Sequence, residues 1–242
     1  MNTAANNTCA YKVSEVQLRC KQIRFNEIFN ESFERTLAEA GSVGINYITE
    51  TFIHAQNSIP ASTTGVTNVP FSMNPRSAKY ILAIGRLETD VALKSAYSLG
   101  NRSSYDLVDY NFEINGKQMI TQPIPISATN YANAYSNVLD CFGVIGALNH
   151  SNLITTSTAG TRFYSSTQAT AQKFISGIVL EDFNSATNNS VYSGMNLSNA
   201  SAMSYRPQIG STGTAAAYRI DMFCSADCSY HFTADGRMYS VK

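Results

Sequence analysis

The sequence has few charged residues. Lys, Arg, Asp and Glu make up 14% of its 242 residues, well below the roughly 25% of ordinary soluble domains. The 17 basic residues balance the 17 acidic ones, so the formal net charge is zero. Binding to nucleic-acid backbones draws on an excess of positive charge, so the composition argues against a specific nucleic-acid partner.

Paired cysteines and long apolar runs are missing as well. The five cysteines are Cys9, Cys20, Cys141, Cys224 and Cys228, an odd and scattered set that predicts reduced thiols in an intracellular product. The first ten residues have neither a basic segment nor an apolar core, so we expect no signal peptide. No run approaches the ~18 apolar residues of a spanning helix, so we expect no transmembrane segment.

Motifs that carry catalysis are not found. The sequence contains no Gly-x-Ser-x-Gly, Walker loop, His-Glu-x-x-His or Gly-x-Gly-x-x-Gly. The three histidines, His54, His150 and His231, lie far apart, so the His-x-His pair of a cupin-type metal site is missing. We therefore expect no enzymatic activity, no catalytic or cofactor-binding residue and no cofactor.

One cluster near the C-terminus could bind a metal. Cys224, Cys228 and His231 lie within eight residues, but their spacing matches structural zinc sites poorly and a fourth ligand is missing. The favoured interpretation has Cys224 ending one strand, Cys228 in a turn and His231 on the outer face of the next strand. We accordingly expect no metal site.

Three other groups have plain structural interpretations. Arg19, Lys21 and Arg24 are interpreted as a solvated face rather than a contact with nucleic acid or with a neighbouring subunit. Tyr131 and Tyr135 are interpreted as helix packing rather than a ligand site. The adjacent carboxylates Glu181 and Asp182 point to opposite faces of a strand, which argues against joint acid–base catalysis.

What the chain does have is strands. The apolar centre of 77–87 predicts a strand that is buried on both faces. From Val108 to Ile114 apolar and polar residues alternate without exception, and Asn115-Gly116 then gives the strongest short signal for a hairpin. A set of side chains is predicted to be largely buried: Tyr80, Leu82, Val108, Tyr110, Phe112, Ile178, Leu180, Ile220 and Met222.

Two helices are predicted in the connections between strands. The first begins at Asn26 as N-cap and carries an apolar stripe of Ile28, Phe29, Phe33 and Leu37. The second spans about 130–142. With eight to ten strands and long polar loops, the pattern predicts an all-β Greek-key sandwich of the jelly-roll kind, with residues 1–12 as a flexible arm and 13–242 as a single domain.

The order of these signals resembles the jelly-roll major capsid proteins of tailless icosahedral double-stranded DNA viruses, including virophages and polinton-like viruses. The motifs are Arg76-Ser77-x-Lys79, Tyr110-x-Phe112-x-Ile114-Asn115-Gly116, Gln122-Pro123-Ile124, the helix at 130–142, Ser193-Gly194-Met195-Asn196-Leu197 and Asp235-Gly236-Arg237. Together they span roughly residues 15–242, and the likeness is greatest to the C-terminal jelly roll of double jelly-roll subunits. Those subunits are usually about twice as long as this chain.

The resemblance implies a structural protein of the virion that is made and assembled inside the host cell. Its implied partners are copies of itself, in a cyclic trimer or pentamer, and other capsid proteins. The alternative is a jelly-roll binding module, lectin-like or a trimeric ligand domain. Its candidate site would be the loop with Asn184, Asn188, Asn189 and Tyr192.

Overall fold

A computed structural model gives the architecture of the chain. It describes residues 14–17, 24, 26–40, 45–92, 102–127, 129–142, 163–164, 173–181, 193–232 and 238–241. Three helices lie in this part of the chain: α1 (Glu27–Ala40), α2 (Glu88–Ala92) and α3 (Ala132–Cys141). The strands are β1 (Ile45–Ile59), β2 (Gly65–Val66), β3 (Val69–Phe71), β4 (Ala78–Leu87), β5 (Leu107–Ile114), β6 (Lys117–Gln118), β7 (Ile124–Pro125), β8 (Ser176–Val179), β9 (Met203–Ile209), β10 (Tyr218–Phe232) and β11 (Met238–Val241).

The strands form two sheets. In the five-stranded sheet the order is β1-β10-β4-β8, with β11 also paired to β10. In the six-stranded sheet the order is β2-β9-β5-β6, with β3 paired to β9 and β7 paired to β5. The registers that are defined, such as β4 with β10 and β5 with β9, are antiparallel.

This strand order is that of a jelly roll. The short strands β2 and β3 both pair with β9 and occupy one strand position, and β6 and β7 both pair with β5 and occupy another. With β11 set aside, eight positions remain in two sheets of four, numbered along the chain as 1-8-3-6 and 2-7-4-5. Neighbours within each sheet come from distant parts of the chain, as in the double Greek key of jelly rolls. The predicted fold class is confirmed.

The two sheets pack face to face. The hydroxyls of Ser176 on β8 and Tyr205 on β9 are 2.8 Å apart in a buried hydrogen bond between the sheets. The ring of Tyr105, which precedes β5, lies 5.7 Å from that of Tyr218 on β10. The approach is so close at Gly85 of β4 that an added Cβ would lie 2.4 Å from the Tyr105 ring. The strand therefore needs glycine at this position.

The hairpin after β5 is confirmed. Ile114 pairs with Lys117, which leaves a loop of two residues, Asn115 and Gly116. Both have positive φ, 52° and 77°, as the type I′ turn requires. The Asn115 side-chain oxygen also accepts a hydrogen bond from the backbone N–H of Ser201, at 2.9 Å.

The predicted core is confirmed at every residue but one. Val108 was expected inside, yet it is 41% exposed, while its neighbour Leu107 is buried. The register of β5 against β9 shifts between Leu107 and Asp109, because Leu107 pairs with Ile209 and Asp109 with Gln208. An extra residue in one strand is a β-bulge, and it turns the side chain of Val108 outward.

The helices differ in part from the prediction. α3 is confirmed, and its buried residues are Ala134, Val138 and Cys141. α1 also forms, with the Asn26 side chain accepting a hydrogen bond from the Phe29 N–H at 2.9 Å. However, α1 precedes all the described strands instead of connecting two of them, and α2 lies where a polar loop was expected. The strand predicted before α1 falls mainly on residues outside the described ranges.

The chain divides into two compact units. One contains Glu50–Asp227, and the other contains Met1–Thr49 with Cys228–Lys242. The larger unit holds the sandwich contacts described above. In the smaller unit β11 pairs with the end of β10, for example Tyr230 with Ser240. The single domain over 13–242 and the flexible arm over 1–12 stay predictions.

Candidate functional site: the outer face of the β1 edge

The second half of β1 presents an alternating set of side chains at one end of the five-stranded sheet. Glu50, Phe52 and His54 are exposed, and Phe52 is 59% exposed. Between them, Ile53 packs partly buried against the core. Alternation along a strand places Glu50, Phe52 and His54 together on the outer face. We call these three residues, with the β1 backbone beside them, the β1 edge surface.

The carboxylate of Glu50 accepts hydrogen bonds from side chains of β10 and β4. One of its oxygens, Oε1, accepts hydrogen bonds from the hydroxyl of Ser225 on β10 and, at 3.3 Å, from that of Tyr80 on β4. Burial, together with the negative charge of Glu50, raises the pKa of Tyr80 to about 12. Tyr80 therefore stays a neutral donor, and the other oxygen, Oε2, has no part in these two bonds.

His54 belongs to a dense ionic cluster around Asp221 of β10. Its Nε2 donates to Asp221 at 3.0 Å, while Arg86 donates through two nitrogens at 3.0 and 2.5 Å, and Arg219 donates at 2.9 Å. Burial alone raises the pKa of the Asp221 carboxyl, whose side chain is 2% exposed. The hydrogen bonds from Arg86, His54 and Arg219 and the charge of Arg86 outweigh burial, so the pKa lies below its usual value.

Aromatic contacts fix the remaining side chains. The imidazole of His54 stacks on the ring of Phe223 at 4.8 Å, and Phe52 meets the ring of Tyr80 edge-on at 6.4 Å. Offset and edge-on ring pairs of this kind stabilise by about 0.5–1.5 kcal/mol beyond the area they bury. The surface is therefore a set of pre-positioned side chains on a rigid sheet.

The β1 edge surface is suited to contact with another molecule. Arg86, Arg219 and His54 all donate hydrogen bonds to the Asp221 carboxylate. It is therefore a poor candidate for a general base. In the described part of the chain, no group of three or more His, Cys, Asp or Glu side chains could hold a metal ion. What the β1 edge surface offers instead is a large exposed aromatic ring, flanked by an acid and an imidazole.

The backbone of β1 adds to this surface. Within the described residues, β1 lies at the end of its sheet and has β10 as its one neighbouring strand. An edge strand exposes N–H and C=O groups that readily pair with another strand. Proteins normally cover or interrupt such an edge, yet β1 runs over 15 residues to Ile59.

The structure corrects the interpretation of the Cys224–His231 segment. β10 runs without a break over Tyr218–Phe232, so Cys228 lies within a strand and the expected turn does not exist. Cys224 and Cys228 are both free and buried. Burial raises the pKa of Cys224 to about 12, so its thiol is unreactive at neutral pH. The absence of a metal site stays a prediction.

The other candidate residues divide between packing and the part of the chain that is not described. Tyr131 and Tyr135 contact the buried ring of Phe163 at 6.3 and 5.2 Å, which confirms the packing interpretation. Glu181 accepts a hydrogen bond from Ser193, and Arg24 is exposed. Several predicted candidates lie outside the described residues: Cys9, Arg19, Cys20, Lys21, His150, Asp182, Asn184, Asn188, Asn189 and Tyr192.

The cluster around Asp221 was not predicted from the sequence. Arg219 and Asp221 were visible as charged residues alternating with apolar ones in a chain of low charge. Their partners, however, lie 135 residues away at Arg86 and 167 residues away at His54. Only the pairing of β1, β4 and β10 brings these groups together.

Comparisons with known proteins give weak likenesses. No family model and no curated protein matches the chain. Among solved structures, the mavirus major capsid protein is similar over 82% of this chain and 41% of its own, at 11% identity and a TM-score of 0.46. A chain of the Sputnik virophage structure is similar over 82% of this chain and 39% of its own, at 11% identity and a TM-score of 0.40.

This chain thus spans about two fifths of the length of the solved chains it resembles. At TM-scores below 0.5, these likenesses do not decide the fold. The assignment of the jelly roll instead rests on the order of this chain's own strands. No helix in the described ranges is both long and apolar enough to cross a bilayer.

Proposed function

We propose that the chain is a structural capsid protein whose copies associate into a cyclic capsomer, a trimer or a pentamer, within the shell of a virion. The observation that carries the association of copies is a jelly roll whose β1 edge has no partner strand among the described residues while Phe52 lies exposed beside it. An edge of this kind is completed by a neighbouring chain. The motif order seen in the sequence supports the same assignment.

The composition is consistent with assembly. Neutral polar residues are buried against other chains at a lower desolvation cost than charged ones, and only 14% of this chain is charged. We infer heterologous contacts that close into a ring, each burying about 1,000 Å² or more. We further propose that other capsid proteins are partners, that assembly takes place in the host cell, and that neither catalysis nor binding of a specific nucleic acid is involved.

The mass of the purified protein in solution tests this proposal. Light scattering at tens of micromolar should give three or five times the 26.4 kDa of one chain, and negative-stain electron microscopy should show rings or larger particles. A stable monomer without particles would contradict the proposal. If that monomer also bound glycans at micromolar affinity, the jelly-roll binding module would be the better assignment.

A further inference from the structure

The β1 edge surface is self-complementary. Along the outer face its side chains run acid, aromatic ring, imidazole, at Glu50, Phe52 and His54. Two antiparallel copies of this strand, related by a two-fold axis at Phe52, place each Glu50 directly opposite the His54 of the other copy. We propose that β1 of one chain pairs with β1 of a second copy in this register. The inference rests on the proposed function, because it names one contact of the assembly.

Other registers are less favourable. A shift by one residue would set the outer-face side chains of one copy opposite the inner-face side chains of the other. A two-fold axis at Glu50 would place two carboxylates face to face, and like charges directly opposite destabilise a sheet. An axis at His54 would leave Phe52 opposite Gln56, and Glu50 opposite Ser58. The axis at Phe52 alone gives an aromatic pair and two acid–imidazole pairs.

The side chains are held in place before this contact forms. Both hydrogen bonds to Glu50 use Oε1, so Oε2 is the acceptor available to a second copy. His54 bonds Asp221 through Nε2 and stacks on Phe223, so Nδ1 of the imidazolium form, in which both ring nitrogens carry a proton, is the donor that would meet that oxygen. Groups held in place before binding lose less conformational entropy when a complex forms.

The expected contact is weak when taken alone. One pair of strands and one aromatic pair bury less than the roughly 1,200–2,000 Å² of a stable interface. A repeated assembly compensates, because contacts between linked subunits form at a high effective concentration. We therefore infer that the β1–β1 pair joins one capsomer to the next, while other surfaces hold each ring together.

Cross-linking tests the register directly. In a chain carrying Cys9→Ser and Cys20→Ser, Phe52→Cys places two thiols at the two-fold axis. Opposed Cα atoms lie ~4.5–5.5 Å apart, within the range of a disulfide. The control is Gln56→Cys, which is exposed on the same face of the same strand. In the proposed register the two Gln56 positions are eight residues apart along the strands, roughly 27 Å.

With diamide as oxidant, Phe52→Cys should form a covalent dimer at least tenfold faster than Gln56→Cys. Equal rates, or no dimer from Phe52→Cys, would overturn the proposal. The latter result is expected if residues 1–12 of the same chain cover the edge.

The second test introduces a charge at the two-fold axis. Phe52→Lys should abolish association through this edge, since a lysine on an edge strand blocks strand pairing, while Gln56→Lys should have a much smaller effect. Phe52→Lys loses the ring contact with Tyr80, so it should unfold at a slightly lower urea concentration than the parent, while Gln56→Lys should match the parent. Particles that remain as large and abundant with Phe52→Lys as with Gln56→Lys would overturn the proposal.

The two proposals fail in different ways. If rings form but Phe52→Cys does not cross-link, the β1–β1 contact is wrong and the capsid function stands. If Phe52→Cys dimerises but no ring or particle forms under any condition, the contact stands and the capsid function is wrong.

Discussion

At the scale of single residues, Asp221 shows how a low-charge chain uses the charges that it has. Four hydrogen bonds from three side chains, Arg86, Arg219 and His54, converge on this one buried carboxylate. Removing one member of a buried ionic group costs more than its pairing contributes, because the remaining charges are left without compensation. Asp221 therefore ties β1, β4 and β10 together at the outer face of the sheet.

Substitution of Asp221 should destabilise the folded chain. Asp221→Asn removes the charge and leaves Arg86 and Arg219 without their carboxylate, so we expect the free energy of unfolding to fall by about 2–4 kcal/mol. Urea denaturation followed by circular dichroism measures this value. Asp140→Asn, at an exposed position of α3, is the control and should change stability by less than about 0.5 kcal/mol. Equal effects of the two substitutions would show that the cluster does not stabilise the fold.

The Asp221 carboxyl also predicts that the stability of the folded chain depends on pH. Its pKa is lower in the folded chain than its ordinary value, so the unfolded state takes up the proton first. The stabilisation is complete above about pH 4, the ordinary Asp value, and is lost as the pH falls through the lower folded value. Between pH 4 and 2, the parent should lose more stability than Asp221→Asn, as urea titrations at each pH would measure.

At the scale of elements, the hairpin of β5 and β6 depends on one glycine. Gly116 has a φ of +77°, and no atom lies within 4 Å of a Cβ added there. The cost of a side chain is therefore conformational and not steric. Gly116→Ala should lower the free energy of unfolding by about 1 kcal/mol. The neighbouring exposed substitution Lys117→Ala should be nearly neutral, and a neutral Gly116→Ala would contradict the type I′ turn.

Two elements show how local pattern and tertiary context compete. β5 keeps the predicted alternation from Tyr110 onward, but the bulge near Val108 reverses it at the start of the strand. β10 continues through Cys224 and Cys228, where small and polar residues favoured a turn. Its pairing with β4 extends to Ala226. The backbone hydrogen bonds of a long neighbouring strand can thus override a weak local turn signal.

At the scale of the whole molecule, the sandwich depends on contacts between its sheets. The Tyr205 hydroxyl of one sheet lies 2.8 Å from that of Ser176 in the other, and 2.6 Å from that of Tyr105. Burial and the neighbouring Tyr105 hold the pKa of Tyr205 well above its ordinary value, so its hydroxyl keeps its proton. A buried hydroxyl that loses its partner costs about 1–3 kcal/mol.

A double-mutant cycle tests this contact. Ser176→Ala and Tyr205→Phe should each lower the free energy of unfolding, and the double variant should lose about 1 kcal/mol less than the two single losses added together. Thermal and urea unfolding of the four proteins provide the values. Strict additivity would mean that the two hydroxyls do not interact and that the sheets are not joined at this point.

Much of the fold followed from the sequence because its signals are local. Period-two alternation in β5 from Tyr110 onward, the two-residue turn at Asn115 and the cap at Asn26 are each set by neighbours within a few residues, and each is confirmed. The apolar run in β4 likewise identified a buried central strand. The low charge and the missing motifs, read from composition alone, directed the functional hypothesis toward assembly.

The tertiary structure alone decided the rest. The pairing of β1 with β10 makes β1 an edge, and no local pattern states which strand of a sandwich lies last. The same pairing brings His54 to Asp221 across 167 residues, and forms the surface proposed for assembly. The sequence determines side-chain chemistry and local periodicity. Whether a strand lies at the edge of a sheet, however, depends on contacts that arise only when the two sheets pack around a common core.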